Sequence, residues 1–250
     1  MDLNFKRIIP VLLLRDGQLV KTINFKKNNY IGDPINAIKI FNEKEVDELA
    51  ILDIDCTSKQ NEINFKLIEN IASECFMPIS YGGGISNKEQ ANKIISLGVE
   101  KIIVNTAINS NYHLAEEISN EIGASSLVAS IDFKKKFFSK NYNIYVKSGK
   151  KKLNVNIKNH ISILSEFCGE FLINSIDRDG TKIGYDLNLL NFCKDKISKP
   201  MVFCGGAKSY EDIIEVLNKG VNACAAGSLF VYHDNADSVL ISYNNPIKLK

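Results

Sequence analysis

The chain of 250 residues predicts an α/β protein: a single (β/α)₈ TIM barrel with a two-fold half-barrel repeat, occupying residues 1–250 as one domain. Three observations carry this expectation. Eight short runs rich in Ile, Leu and Val alternate with amphipathic stretches of helix length. The runs lack strict polar alternation, as parallel strands covered on both faces require. The second half also echoes the first. Laying Gly83 on Gly205 brings Gly84 onto Gly206, Glu89 onto Glu211, Gly98 onto Gly220, Val99 onto Val221, Thr106 onto Ser228 and Asp55 onto Asp177. Such internal repetition fixes an architecture before any single motif does. It argues against the rival, a doubly wound open sheet.

The elements follow in order. Strand one is Arg7–Leu14, and a helix opens at Asp33-Pro34, with Asp as N-cap and Pro at the first helical position. Strand two is Glu48–Asp53 and strand three Pro78–Tyr81; a helix starts near Asn87 and ends at Gly98, a left-handed cap residue. Strand four is Lys101–Asn105, with a helix from about Ser110, and strand five is Leu127–Asp132. The Lys-rich, aromatic segment Lys134–Lys152 breaks the plan and reads as a hairpin loop inserted after strand five, over the active face. Strand six is Glu170–Ser175, strand seven Pro200–Cys204 and strand eight Ala223–Gly227, with helices from Asp186 and Ser209 and a second cap at Gly220. Asp237–Lys250 lacks a helical period, so the last helix is expected to be short or absent.

Composition narrows the function. Lys and Arg number 31 against 29 Asp and Glu, for a formal charge of +2, which leaves no basic field for nucleic acid. The six cysteines form no C-x-x-C pair and read as reduced thiols of a cytoplasmic protein, with neither metal nor cofactor expected. A charged N-terminus leading straight into a strand argues against a signal peptide, and no apolar run is long enough to cross a membrane.

Barrel enzymes carry their chemistry at the C-terminal ends of the strands. Two repeat-related corners gather there: Gly82-Gly83-Gly84 with Asn105-Thr106, and Gly205-Gly206 with Gly227-Ser228. Glycine lets backbone N–H groups approach an anion, and Thr or Ser adds a hydroxyl. Two such corners imply a ligand phosphorylated at both ends. The same face holds Asp132, Asp53 and Asp55, and the run Asp177, Arg178, Asp179, Gly180, Thr181. Asp53 and Asp177 read best as loop organisers that accept backbone N–H bonds, and Asp132 as a ligand-facing carboxylate. Where the repeat calls for a second such carboxylate, strand one carries Leu13. At the strand starts lie Arg7, Glu48, Lys101 and Glu170, and Arg7 shares the parity of Ile9, Val11 and Leu13. Spacing alone makes these four charges a structural ion-pair layer closing the barrel bottom.

These residues carry a family likeness. RIIP (Arg7–Pro10), GDPINA (Gly32–Ala37), DELAILDI (Asp47–Ile54), GGGI (Gly82–Ile85), VNTA (Val104–Ala107), SIDRDGTKIGYD (Ser175–Asp186) and CGGA (Cys204–Ala207) resemble the cyclase subunit of imidazole glycerol phosphate synthase. The likeness runs nearly end to end and fades after about Val231. It implies a glutaminase docked at the barrel bottom, with ammonia passing a charged gate and the barrel axis to a bisphosphate substrate on the top face. It makes Arg7, Glu48, Lys101 and Glu170 the gate, reversing the structural reading. It places phosphate contacts at Gly84, Asn105, Thr106, Asp179, Gly180, Gly206, Gly227 and Ser228, and adds Lys21, Asp53 and Ser148 as active-face candidates.

Two departures matter. The resemblance implies a pair of catalytic aspartates ending strands one and five; the second is Asp132, but the first is Leu13, which can neither carry a proton nor accept a hydrogen bond. Strand six ends in Asn174, where cyclases usually carry Thr. Both features, with NSIDRDG after strand six, resemble a paralogue group encoded with surface-polysaccharide genes and associated with glycosyl amidation. That likeness implies that a glutaminase and this barrel supply ammonia to a separate amidotransferase, which turns a sugar N-acetyl group into an acetamidino group. Two other readings compete: a cyclase lyase of histidine biosynthesis, and a sugar-phosphate isomerase on the related half-repeat barrel. The isomerase also wants a carboxylate ending strand one and needs no gate.

Overall fold

A computed structural model describes residues 6–59, 62–137, 139–233 and 238–245. Its strands are β1 (Arg7–Arg15), β2 (Gln18–Ile23), β3 (Lys27–Gly32), β4 (Leu49–Asp53), β5 (Ile79–Gly82), β6 (Lys101–Val104), β7 (Leu127–Lys135), β8 (Tyr142–Val146), β9 (Lys151–Lys152), β10 (Glu170–Ser175), β11 (Met201–Cys204) and β12 (Ala223–Ala226). Eight of them close into a parallel barrel in the order β1, β4, β5, β6, β7, β10, β11, β12, with β12 returning to β1. The helices are α1 (Pro34–Glu43), α2 (Ile54–Lys59), α3 (Phe65–Glu74), α4 (Lys88–Ser96), α5 (Thr106–Ser110), α6 (Tyr112–Ile122), α7 (Ile157–Phe167), α8 (Leu187–Lys194), α9 (Tyr210–Asn218) and α10 (Ser228–Val231).

Strand parity sorts the apolar side chains into two layers. Ile9, Val11 and Leu13 point inward with Ala50, Ile103, Val128, Leu172, Val202, Ala223 and Ala225. Ile8, Leu12 and Leu14 point outward to the larger layer between barrel and helices. Short side chains cap the helices that cover this layer. Asp33 accepts from the Asn36 N–H at 2.9 Å, and Asn64, Asn87 and Asp186 do the same for α3, α4 and α8.

The segment after barrel strand five folds as expected: β7 runs on past the barrel rim and pairs antiparallel with β8, which pairs with β9. A second hairpin, β2–β3, follows barrel strand one and was not foreseen. Its cause is local. Asp16 and Gly17 both take positive φ (48° and 76°) and join Arg15 to Gln18 in a two-residue turn, the Asp-Gly form that matches strand twist. Helices α2, α3, α5 and α7 were not expected from the sequence; α2 and α5 are single short turns at the strand ends, and α3 and α7 open on Asn64 and Asn156. The last helix is the four-residue α10; residues 238–245 form a bridge at Tyr232–Val239 and no helix, and the rest of the C-terminal segment lies outside the described residues.

Candidate functional site

The barrel register turns the half-repeat into geometry. Leu13 pairs with Leu52, and Asp132 pairs with Asn174. The repeat that lays Gly83 on Gly205 also lays Leu52 on Asn174, so Leu13 and Asp132 occupy equivalent rungs at the strand ends. Both line a cavity of about 740 Å³ at the C-terminal face. Lys21, Asp53, Gly84, Asn105, Thr106, Ser148, Asp179, Gly180, Gly206, Gly227 and Ser228 line the same cavity, whereas Asp55, Asp177, Arg178 and Thr181 of the same face do not.

Asp132 is buried, and both its oxygens accept hydrogen bonds from amides: Asn105 Nδ2 donates at 2.8 Å and Asn174 Nδ2 at 3.3 Å. Burial pushes its pKa up to about 7, and the nearby charge of Asp179 adds to the rise, while the two amide bonds work against it. A carboxyl so placed can give or take a proton near neutrality. Opposite it, Leu13 presents only methyl groups within the apolar interior. Of these two equivalent rungs, one bears a proton-carrying group and the other does not.

The two corners differ in how they are held. At the first, Thr106 Oγ1 accepts the Lys147 N–H at 2.9 Å, which ties the β8–β9 hairpin to the cavity rim beside Ser148. At the second, the Ser228 hydroxyl is buried and has no hydrogen-bond partner. Gly227 leaves room there for Lys21: a Cβ on Gly227 would lie 2.5 Å from the ammonium nitrogen. Burial raises the Asp179 pKa, opposed by Lys21 and by the Thr22 hydroxyl, which donates to it at 3.3 Å. Gly180 takes φ +72°, and a side chain there would run into the Thr22 carbonyl, so this loop can pack under β2 only with glycine.

Asp53 and Asp177 hold loops. Asp53 Oδ1 accepts from the Asp55 and Cys56 N–H groups at 3.1 and 3.2 Å, starting α2, and Asp177 accepts from the Lys135 N–H at 2.8 Å. Asp53 still faces the cavity. Sequence reasoning missed Arg15, which lines the cavity and pairs with buried Asp55 at 3.1 Å. Its parity with Leu13 along β1 was the available signal.

At the opposite end, Arg7 pairs with Glu48 at 2.5 Å and with Glu170, and Lys101 lies 3.3 Å from each glutamate. The four charges close a ring of alternating sign, with both glutamates buried and Ser80 donating to Glu48 at 2.9 Å. Burial works against the Arg7 charge, but Glu170 and Glu48 outweigh it and raise its pKa. No helix among the described residues is long and apolar enough to cross a membrane.

Comparison with known proteins adds a family. A family model described as "Histidine biosynthesis protein" matches residues 7–237. A Pseudomonas aeruginosa protein, provisionally described as imidazole glycerol phosphate synthase subunit hisF2, is 46% identical over 98% of each chain. A Leptospira borgpetersenii protein, provisionally described as subunit HisF of the same synthase, is 45% identical over 96% of this chain and 95% of its own. The Petrotoga mobilis protein described as imidazole glycerol phosphate synthase subunit HisF is 36% identical over 91% of this chain and 90% of its own.

Proposed function

This chain belongs to the histidine biosynthesis family, as a HisF-like barrel related to imidazole glycerol phosphate synthase subunits, and from that premise we propose that it conducts ammonia rather than closing an imidazole ring. In this reading a glutaminase docks at the mouth framed by Arg7, Glu48, Lys101 and Glu170. Ammonia released there travels the barrel interior and leaves at the top face for a separate sugar amidotransferase, which makes the acetamidino sugar of a surface polysaccharide. A phosphorylated small molecule occupies the cavity between the two glycine corners.

The observation that carries the reading is the contrast of Leu13 with Asp132 on equivalent rungs, above a complete charged ring. Ring closure in a cyclase asks for an acid and a base, and losing one such group removes about 10²–10⁴ of rate. A conduit asks for neither. The descriptions of the more similar relatives fit either reading. The buried Ser228 hydroxyl without a partner supports retained anion binding. Retained Asp132 and the intact corners favour the second reading, a cyclase lyase of histidine biosynthesis, and Leu13 is what separates the two.

The test is to co-express the barrel with its glutaminase and assay ammonia-dependent cyclase turnover, together with rescue of a histidine auxotroph lacking the cyclase. We expect no rescue and turnover at least about 10² below that of a two-aspartate cyclase. Rescue, or turnover at an ordinary cyclase's rate, sinks the proposal and leaves the lyase.

A further inference from the structure

A buried chain of polar side chains runs from the outer helices to Asp132. Tyr112, at the start of α6, places its hydroxyl 2.6 Å from His160 Nδ1. His160, on α7 and buried, places Nε2 2.7 Å from Asn109 Oδ1. Asn109, at the end of α5, donates from Nδ2 to the Asn105 carbonyl at 2.7 Å and to the Ser130 carbonyl at 2.8 Å, with Asn105 Oδ1 at 3.5 Å. Asn105 Nδ2 donates to Asp132 Oδ2 at 2.8 Å. We infer that His160 and Asn109 are positioning residues, which hold Asn105 so that its amide nitrogen always faces the Asp132 carboxylate.

Donor counting gives the chain its direction. The two Asn109 Nδ2 hydrogens go to two carbonyls, so its other end, Oδ1, must accept. His160 Nε2 therefore carries the hydrogen, and in a neutral ring Nδ1 then accepts from the Tyr112 hydroxyl. Burial pushes the His160 pKa down to about 4, which keeps the ring neutral at working pH. Asn109 also bridges Asn105, just past the end of β6, to Ser130 within β7, the two strands on either side of the Asn105–Asp132 contact. A chain so directed suits a carboxylate that must be presented as an acceptor. Asp132 otherwise faces Asn174 on β10, Asp179 after β10 with Lys21 beside it, and the Cys204 thiol on β11.

The inference rests on Asp132 being the ligand-facing group of the proposed site, not on where ammonia goes. Its test reads Asp132 directly, so a failed amidation assay would leave it standing. Titrate the aspartate carboxyl signals of the intact chain by ¹³C NMR, assigning Asp132 with Asp132→Asn. Losing a firm hydrogen bond to the ionised form should move the Asp132 midpoint upward by about one pH unit in Asn109→Leu and in His160→Leu. His160→Gln, which can still donate to Asn109, should titrate as wild type does. If both leucine variants fold and titrate like wild type, the chain is only a staple between helices and the inference is wrong. The imidazole ¹⁵N signals of the unaltered protein provide an independent measurement between pH 6 and 8. An Nε2–H tautomer is expected; an Nδ1–H tautomer or a charged ring would overturn the direction assigned, whether or not the variants fold.

Discussion

Asp132 carries most of the residue-scale argument. Its folded pKa near 7 lies above the ordinary carboxylate value, so between about pH 4 and 7 the folded state binds more protons than the unfolded one. The stability it contributes is therefore complete below about pH 4 and is lost as the pH rises through 7. Removing the charge should reverse that loss. Asp132→Asn is expected to stabilise the protein by about 2–4 kcal/mol at pH 8 and by little at pH 4, read from urea midpoints at the two pH values. The replacement amide has an acceptor available, because Asn174 Oδ1 has no partner and a turn of that amide presents it. Equal midpoint differences at both pH values would mean that Asp132 does not titrate as placed. The contrast between Leu13 and Asp132 was legible in the sequence because both stand at the ends of barrel strands and the family resemblance implies an aspartate at each. The wider chain behind Asp132 was not: Asn109 reaches Asn105 within a single turn of α5, but His160 meets Asn109 only because α7 packs against α5.

At the scale of elements, alternation and glycine placement revealed the eight barrel strands, the hairpin after strand five and both corners. The hairpin after strand one left a signal of its own, the polar break Arg15-Asp16-Gly17-Gln18 between Leu14 and Leu19, but Leu19 and Val20 are buried like the barrel strands and carry no mark of an added pair. That hairpin brings Lys21 to the second corner, where Gly227 makes space for it. Gly227→Ala should push the Lys21 ammonium aside, since the atoms nearest the new Cβ end a flexible chain, while the Val11 carbonyl at 3.1 Å asks for only a few tenths of an ångström of backbone adjustment. We expect a sugar bisphosphate to bind about tenfold more weakly to this variant by calorimetry, with thermal stability nearly unchanged. Unchanged affinity would remove Lys21 and this corner from the phosphate site. A bisphosphate that binds no better than a monophosphate would count against the two-corner reading as a whole.

On the scale of the whole molecule, the ring and the cavity lie at opposite ends of one axis. Between them the interior includes small side chains at Ala50, Ser80, Ser130, Ala223 and Ala225. A charged ring at a barrel bottom could equally be a stability device, and removing one member of a buried network costs several kcal/mol in either case. Conduction makes a further demand that stability does not. Lys101→Met keeps the side-chain length, leaves Arg7 bridging both glutamates, and removes only the cation at 3.3 Å from each. In the assembled complex this variant should still fold, dock the glutaminase and support glutamine hydrolysis. Little of the glutamine nitrogen should then reach the amidated sugar, whereas added ammonium salts should support product as in wild type. The ratio of glutamine-dependent to ammonium-dependent amidation therefore reads the gate with stability divided out. If both rates fall together in step with the melting temperature, or if neither changes, the four charges only hold the barrel closed, and ammonia must reach the top face by another route.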